Sequence, residues 1–200
     1  MEMLRCAREH QQLSVFPFWK FVLLRPYLQV IYMARNAKDN LVSYFHFDRM
    51  NLTQPEPGPW DGYIHKFMKG QLGWGSWYDH VKGYWKESKE RNILYILYED
   101  MKENPSREIK RIMHYLDLSV SEDVINKIVQ LTSFHVMKDN PMANYSYIPK
   151  AVFDQSISAF MRKGEVGDWV NHFTPAQSKM FDEDYTNQMK DVDIPFRLNI

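Results

Sequence analysis

Two groups of side chains in this 200-residue chain have the chemistry to bind a phosphate group. In the first group, Arg35 directly follows the apolar run 28–34, and Ser43 lies eight residues further on, inside the helix predicted to follow that run. A guanidinium group can donate two parallel hydrogen bonds to phosphate oxygens, and the N-terminus of a helix adds partial positive charge. The residues therefore predict an anion site, although Arg35 could equally be a surface cation that pairs with Asp39.

The second group is the tripeptide Arg162-Lys163-Gly164. It supplies two cations and a glycine whose missing side chain lets backbone amides approach an anion, but most tripeptides of this kind are solvated turns. It lies in an irregular stretch, residues 143 to 167, that mixes aromatic residues with Ser, Pro and Gly. Long irregular stretches inside small domains are often binding loops, so function is expected here.

Aromatic and imidazole side chains add two weaker candidates. Thr132 and Ser133 offer hydroxyl groups beside Phe134, whose ring could cover a purine, although an ordinary helix C-terminal turn explains the same residues. None of the seven histidines has metal-ligand spacing to another candidate ligand, so no metal site is predicted. His46 is the best candidate for a reactive imidazole, with a packed or half-buried histidine as the alternative.

The surrounding pattern predicts an α/β fold that brings these groups together. The short apolar runs 28–34 and 93–98 indicate strands of a parallel sheet buried on both faces, and helical stripes separate them. Ligands of such sheets bind beyond the carboxyl ends of the strands, where Arg35 and Tyr98 are expected. Three helix starts are predicted from capping patterns: Asn104-Pro105, Ser119 with Glu122, and Thr174-Pro175-Gln177.

Composition restricts the class of protein. Hydrophobic residues make up 44% of the chain, enough for one compact core, and 25 basic side chains balance 25 acidic ones, so no nucleic-acid partner is indicated. The single cysteine, Cys6, predicts a reducing compartment such as the cytoplasm. The apolar run 13–24 contains Pro17 and Lys20 and is too short for a membrane span, so no membrane partner is expected.

Taken together, four ordered segments resemble the cytosolic sulfotransferases. These are VIYMARNAKDNLVSYFHF (residues 30–47), YEDMKENP (98–105), TSFHVMKDNPMANYS (132–146) and FMRKGEVGDW (160–169). The resemblance implies a parallel sheet flanked by helices, in a fold like that of the P-loop NTPases. It also implies the cofactor 3′-phosphoadenosine-5′-phosphosulfate (PAPS). The implied reaction is transfer of its sulfuryl group to a hydroxyl or amine of a small acceptor, expected to be aromatic.

The resemblance also assigns residues to the binding of PAPS or its product, adenosine 3′,5′-bisphosphate. Arg35 and Ser43 match positions that hold the 3′-phosphate, and Arg162, Lys163 and Gly164 match those that close on it. Residues that match positions around the adenine are Tyr98, Thr132, Ser133, Phe134 and Met137. Phe47 and Tyr145 match positions at which the family lines its acceptor pocket with aromatic rings.

Two family features have no counterpart in the printed sequence. The first is the phosphosulfate-binding loop of the form T-x-K-S-G-T-T-W, part of an N-terminal strand, loop and helix. The second is the catalytic histidine of a K-[ST]-H-[LF]-P segment, whose register falls at Leu13, while His10 lacks the flanking pattern. We therefore expect residues 1–27 to be a divergent segment and 28–200 a partial sulfotransferase domain from a truncated isoform. No catalytic residue is identified, and turnover is expected to be impaired. The alternative is a non-catalytic fragment that binds the bisphosphate or modulates full-length relatives.

The family's dimerisation motif, K-x-x-x-T-V-x-x-x-E, is degraded in this chain. Val170, Pro175 and Lys179 replace three of its four fixed residues, and only Thr174 remains. An interface that requires the glutamate would meet a lysine instead. We therefore expect weakened homodimerisation.

Overall fold

The computed structural model describes residues 29–198. Two strands, β1 (Val30–Ala34) and β2 (Ile93–Leu97), pair in parallel with Val30 opposite Ile93 and Ala34 opposite Leu97. The expected α/β class with a parallel sheet is confirmed. Tyr98, expected to end the second strand, instead begins the next helix, because Leu97 is the last residue with extended backbone angles.

Helices surround the two strands. Between β1 and β2 the chain forms three helices, and the remaining helices follow β2. In chain order they are α1 (Ala37–Met50), α2 (Trp60–Met68), α3 (Trp77–Glu87), α4 (Tyr98–Glu103), α5 (Pro105–Tyr115), α6 (Glu122–Leu131), α7 (Phe134–Lys138), a 3₁₀ helix (Asp168–Asn171) and α8 (Pro175–Met189). The stretch from 139 to 167 contains no helix or named strand, as the irregular sequence there predicts.

Two of the three predicted helix starts are present. The Asn104 side chain accepts a hydrogen bond from the amide of Arg107 (3.0 Å), and Thr174 forms a reciprocal capping box with Gln177. The predicted capping box of Ser119 with Glu122 is wrong. A capping box needs the glutamate at the third helical position, but Glu122 is the first residue of α6. The residue that precedes the helix, Ser121, makes no capping hydrogen bond through its side chain.

The main core lies between β1, β2 and the helices α1, α2, α3 and α8. It is built from fully buried residues at helical spacing, such as Leu41, Ile64, Phe67 and Phe181. β2 is buried almost throughout, but the side chains of Ile31 and Met33 on β1 are 42% and 46% exposed. The prediction that both strands are buried on both faces is therefore wrong for β1 within residues 29–198.

A buried lysine ties α1 to α8. Lys38 is 1% exposed, and its ammonium donates hydrogen bonds to Ser178 (2.7 Å) and Asp182 (2.8 Å). The same ammonium lies 4.2 Å from the ring centre of Trp169. A buried charge costs much free energy unless it is paired, and here a carboxylate, a hydroxyl and an aromatic face all compensate it. None of the helices within residues 29–198 combines the length and apolar character needed to cross a membrane.

Candidate functional site

The carboxyl ends of the two strands bring Arg35 and Tyr98 together. The Arg35 guanidinium lies 4.6 Å from the ring centre of Tyr98, and its Nη2 donates a hydrogen bond to the carbonyl of Glu165 (2.8 Å). The nearest approach of Arg35 to Asp39 is 4.0 Å, the outer limit of an ion pair. Arg35 therefore joins the sheet edge to the late irregular stretch, and pairing with Asp39 is not its main contact.

One cavity of about 800 Å³ opens at this edge of the sheet. All ten residues that the resemblance assigns to the cofactor line it: Arg35, Ser43, Tyr98, Thr132, Ser133, Phe134, Met137, Arg162, Lys163 and Gly164. They come from the residue after β1, from α1 and α4, from the connection between α6 and α7, from α7 and from the irregular stretch, so tertiary folding alone brings them together. The volume lies within the range of pockets that bind small molecules and cofactors.

Gly164 lets the irregular stretch pack directly on the ring of Phe134. Its φ angle is +65°, in the region that favours glycine. A Cβ atom added there would lie 2.6 Å from Cγ and 2.7 Å from Cε2 of Phe134, closer than real Cβ atoms approach. Glycine is therefore required both by the backbone conformation and by the ring, and the contact places Arg162 and Lys163 beside the aromatic wall of the cavity.

Asp168 forms ion pairs with both cations of the tripeptide, Arg162 and Lys163. The Arg162 Nη2 atom lies 2.6 Å from Oδ2 of its buried carboxylate, and the Lys163 Nζ atom lies 2.5 Å from Oδ1. The carboxylate also forms hydrogen bonds with Asn171 and His172. Burial by itself raises the pKa of Asp168, but the hydrogen bonds from Lys163, Asn171 and Arg162 outweigh it and hold this pKa well below its usual range. The carboxylate therefore stays ionised between the two cations. Asp168 was not predicted as a site residue from the sequence, although it follows Arg162 and Lys163 closely.

An aromatic cluster lies next to the cavity. The rings of Phe47 and Tyr145, predicted to line the acceptor pocket, both pack on Phe160, at 6.4 Å and 4.4 Å between ring centres. Phe153 packs on both as well, at 5.6 Å and 6.2 Å. Tyr145 has a φ angle of +57°, which is uncommon for a bulky residue and often occurs at functional sites. Phe153 and Phe160 were not predicted as pocket residues; the sequence marks only the irregular stretch in which they lie.

Residues of α4, α5 and α6 complete the cavity wall and were not predicted from the sequence. Most of them are apolar. They include Met101, Pro105, Ile109, Ile112, Met113, Ile128 and Val129, together with the cation Lys102. The hydroxyl of Thr132 donates to the carbonyl of Ile128 (2.7 Å), so Thr132 both ends α6 and lines the cavity.

His46 is not among the residues that line the cavity. Its Nε2 atom is buried and has no hydrogen-bond partner within residues 29–198, and its ring lies 5.2 Å from that of His172. Burial, followed by the positive charge of Arg162, lowers the pKa of His46 to about 4, so the ring is neutral near pH 7. The packed alternative therefore describes His46 better than a reactive imidazole.

A model of the sulfotransferase domain matches residues 1–193 of this chain. The chain belongs to the sulfotransferase family. The dog (Canis lupus familiaris) sulfotransferase 1B1 and the human (Homo sapiens) sulfotransferase 1C2 are each 46% identical over 198 residues. Each of these alignments covers 98% of this chain and 65% of the relative. Rat (Rattus norvegicus) sulfotransferase 1 family member D1 is 47% identical, covering all of this chain and 67% of the relative. The chain thus spans about two thirds of the length of these relatives.

Solved sulfotransferase structures share the fold. The mouse sulfotransferase SULT7A1, in a complex with PAP (adenosine 3′,5′-bisphosphate), has a TM-score of 0.72 and 38% identity, covering 82% of this chain and 59% of that one. Retinol dehydratase with androsterone and the inactive cofactor PAP has a TM-score of 0.78 and 25% identity, covering 84% of this chain and 49% of that one.

The range matched to the family begins at residue 1 and so includes residues 1–27, which the predicted domain division set apart. The division into 1–27 and 28–200 stays a prediction, because residues 1–28 lie outside the part that the structure describes.

Proposed function

We propose that this chain contributes the nucleotide-binding side of a sulfotransferase that uses PAPS as its cofactor. The observation that carries the proposal is that Arg35, Arg162, Lys163 and Phe134 all line one cavity. Three cations suit a phosphate dianion, and an aromatic ring beside apolar side chains suits a purine. The bisphosphate named in the related structures has both groups.

The residues of the cavity fit this group of ligands in detail. The Nε atom of Arg35 is buried and has no hydrogen-bond partner within residues 29–198, so this donor is free for a ligand. Ser43 lines the same cavity and offers a hydroxyl. We propose that Arg35 and Ser43 bind the 3′-phosphate from the sheet edge while Arg162 and Lys163 bind it from the irregular stretch. Charge-assisted hydrogen bonds of this kind are among the strongest in proteins.

When bound, PAPS would supply the sulfuryl group for transfer to the acceptor oxygen or nitrogen, and adenosine 3′,5′-bisphosphate would be the product that leaves. The residues of this chain would hold the nucleotide at its far end and fix its orientation. Positioning of this kind contributes to catalysis by lowering the entropy cost of bringing the reactants together. In the proposal, the aromatic cluster of Phe47, Tyr145, Phe153 and Phe160 packs against a flat acceptor, which favours a small aromatic molecule.

Calorimetric titration with adenosine 3′,5′-bisphosphate tests the nucleotide site. We expect saturable binding, and we expect adenosine 5′-phosphate, which lacks the 3′-phosphate, to bind at least tenfold more weakly, since a charge-assisted pair contributes roughly 1.5–3 kcal/mol. Arg35→Ala should remove most of this difference. Arg91→Ala, which changes an arginine bound to Glu87 on the surface, is the matched control. Equal affinity of the unchanged chain for both nucleotides would refute the proposal.

A second candidate is a non-catalytic protein that binds the bisphosphate or modulates full-length relatives. The observation that favours it is that all ten assigned cofactor residues line the cavity, whereas the phosphosulfate-loop and catalytic-histidine strings do not occur in the printed sequence. A phenol sulfonation assay beside the titration separates the two candidates. Binding with turnover far below that of an intact relative supports the second, and turnover within tenfold of the relative excludes it.

We also propose weak self-association and a cytoplasmic location, the latter supported by the single cysteine. Pro175 begins α8 and Lys179 lies one turn further on, so both altered motif residues lie in the first turns of this helix. The double change Pro175→Val and Lys179→Glu restores two of the family's motif residues. Sedimentation at micromolar concentration should show a larger dimer fraction for the variant. A stable dimer of the unchanged chain would contradict this part of the proposal.

A further inference from the structure

The carboxylate of Asp168 contacts both cations of the tripeptide. Arg162 bonds to Oδ2 at 2.6 Å and Lys163 to Oδ1 at 2.5 Å, one cation on each carboxylate oxygen. The Asp168 side chain is 1% exposed, whereas those of Arg162 and Lys163 are 20% and 42% exposed. The carboxylate is therefore enclosed, and the outer faces of both cations remain open toward the cavity that they line.

A second aspartate fixes the backbone on either side of Asp168. The Asp39 carboxylate accepts hydrogen bonds from the amides of Gly167 (2.7 Å) and Trp169 (3.0 Å). Asp39 is itself 1% exposed and lies in the first turn of α1, the helix that carries Ser43. The position of the Asp168 carboxylate is thus set relative to α1 and the end of β1, and it does not depend on the irregular stretch alone.

We propose that Asp168 is a positioning residue that orients Arg162 and Lys163 toward the 3′-phosphate and so determines the preference for nucleotides that carry this phosphate. The inference rests on the proposed function of the cavity. A guanidinium has five N–H donors and an ammonium has three, so each cation can bond to Asp168 and to a phosphate at the same time. The phosphate would then meet two cations whose geometry is already fixed.

The sign of the effect separates positioning from simple electrostatics. A carboxylate close to a phosphate repels it, so if Asp168 only added negative charge, its removal would strengthen binding of the phosphate. If Asp168 positions the cations, its removal frees two long side chains that must be ordered again when the ligand binds, which weakens binding. The two explanations therefore predict opposite shifts of affinity for the same substitution.

The decisive variant is Asp168→Asn, titrated with adenosine 3′,5′-bisphosphate and with adenosine 5′-phosphate. We expect the Kd of the bisphosphate to rise about tenfold, in line with the loss of charge-assisted contacts, and that of adenosine 5′-phosphate to stay unchanged. Asp191→Asn, which removes an exposed partner of Lys82, is the matched control and should change neither Kd. Unchanged or tighter binding of the bisphosphate by Asp168→Asn would overturn the inference, as would an equal loss for both nucleotides.

A second variant keeps the inference testable if Asp168→Asn does not fold. Asp168→Glu retains the negative charge but moves it by one methylene group, so the ion pairs persist with altered geometry. We expect it to weaken the bisphosphate severalfold while leaving adenosine 5′-phosphate unaffected, and an unaltered Kd for the bisphosphate would overturn the inference. The failure of the proposed function gives a different result, because the unchanged chain itself would then show no preference between the two nucleotides.

Discussion

Substitution of Gly164 by alanine tests how closely the irregular stretch must approach Phe134. The substitution raises the free energy of the folded chain in two ways. The φ angle of +65° costs an alanine about 1–2 kcal/mol, and the added Cβ would lie 2.6 Å from Cγ of Phe134, so the ring or the loop must move. Stacking of a base on an aromatic ring contributes roughly 1–3 kcal/mol, and this contact with a bound purine is lost if the ring moves.

The expected result is a rise of roughly tenfold to a hundredfold in the Kd of adenosine 3′,5′-bisphosphate, since about 1.4 kcal/mol corresponds to a factor of ten. Calorimetric titration measures it. Gly75→Ala is the matched control, because Gly75 also has a positive φ, +76°, but a Cβ there meets nothing within 4 Å. It should lower the free energy of unfolding by about 1–2 kcal/mol and leave the Kd unchanged.

A double variant isolates the clash with the ring. When Phe134→Ala is already present, Gly164→Ala no longer meets the ring, so it should weaken binding little further, and the two effects should not add. If Gly164→Ala binds the bisphosphate as tightly as the unchanged chain, the reasoning from the close approach of the loop is refuted.

Three further predictions concern stability. His46→Gln should flatten the dependence of stability on pH: the unfolded chain takes up a proton near the ordinary pKa of 6.5 and the folded chain only near 4, so stability falls as the pH drops through this window. Urea midpoints at pH 4.5 and 7 measure this, and an equal change of midpoint between the two pH values for the variant and the unchanged chain would contradict it. Asn104→Ala should lower the free energy of unfolding by about 1 kcal/mol, because it removes the cap of α5; an unchanged urea midpoint would count against the cap. Tyr63→Phe should lower the free energy of unfolding by about 1–2 kcal/mol, because the Asp48 carboxylate loses the hydroxyl that donates to it at 2.5 Å. Urea denaturation at neutral pH measures this, and an unaltered midpoint would show that the hydrogen bond contributes nothing.

The sequence predicts the part of the site that local rules determine. Arg35 lies at a strand end, and the carboxyl ends of parallel strands meet at one edge, so its proximity to Tyr98 follows from the strand pattern. The capping residues Asn104 and Thr174 are likewise recognised, because a cap bonds to an amide only a few residues away. Ser119 was misassigned because the capping pattern does not by itself fix the first residue of the helix.

Local sequence patterns do not predict the contacts that hold the irregular stretch in place, because these contacts join residues that are far apart in the sequence. The sequence suggests Asp39 only as an ion-pair partner of Arg35, whereas its carboxylate accepts hydrogen bonds from amides 128 and 130 residues further along the chain. No periodicity or short motif signals a contact at such a separation. For the same reason Phe153 and Phe160 were missed, since their packing against Phe47 and Tyr145 depends on how the stretch folds back over α1.

The burial of Lys38 affects the chemical reactivity of the chain. With its ammonium enclosed by Asp182, Ser178 and the ring of Trp169, this amine is closed to acylating reagents in the folded protein. Exposed lysines such as Lys150, whose side chain is 75% exposed, are open to the same reagents. Acylation of Lys38 therefore requires α8 to separate from α1, and the extent of its labelling reports how often these two helices come apart.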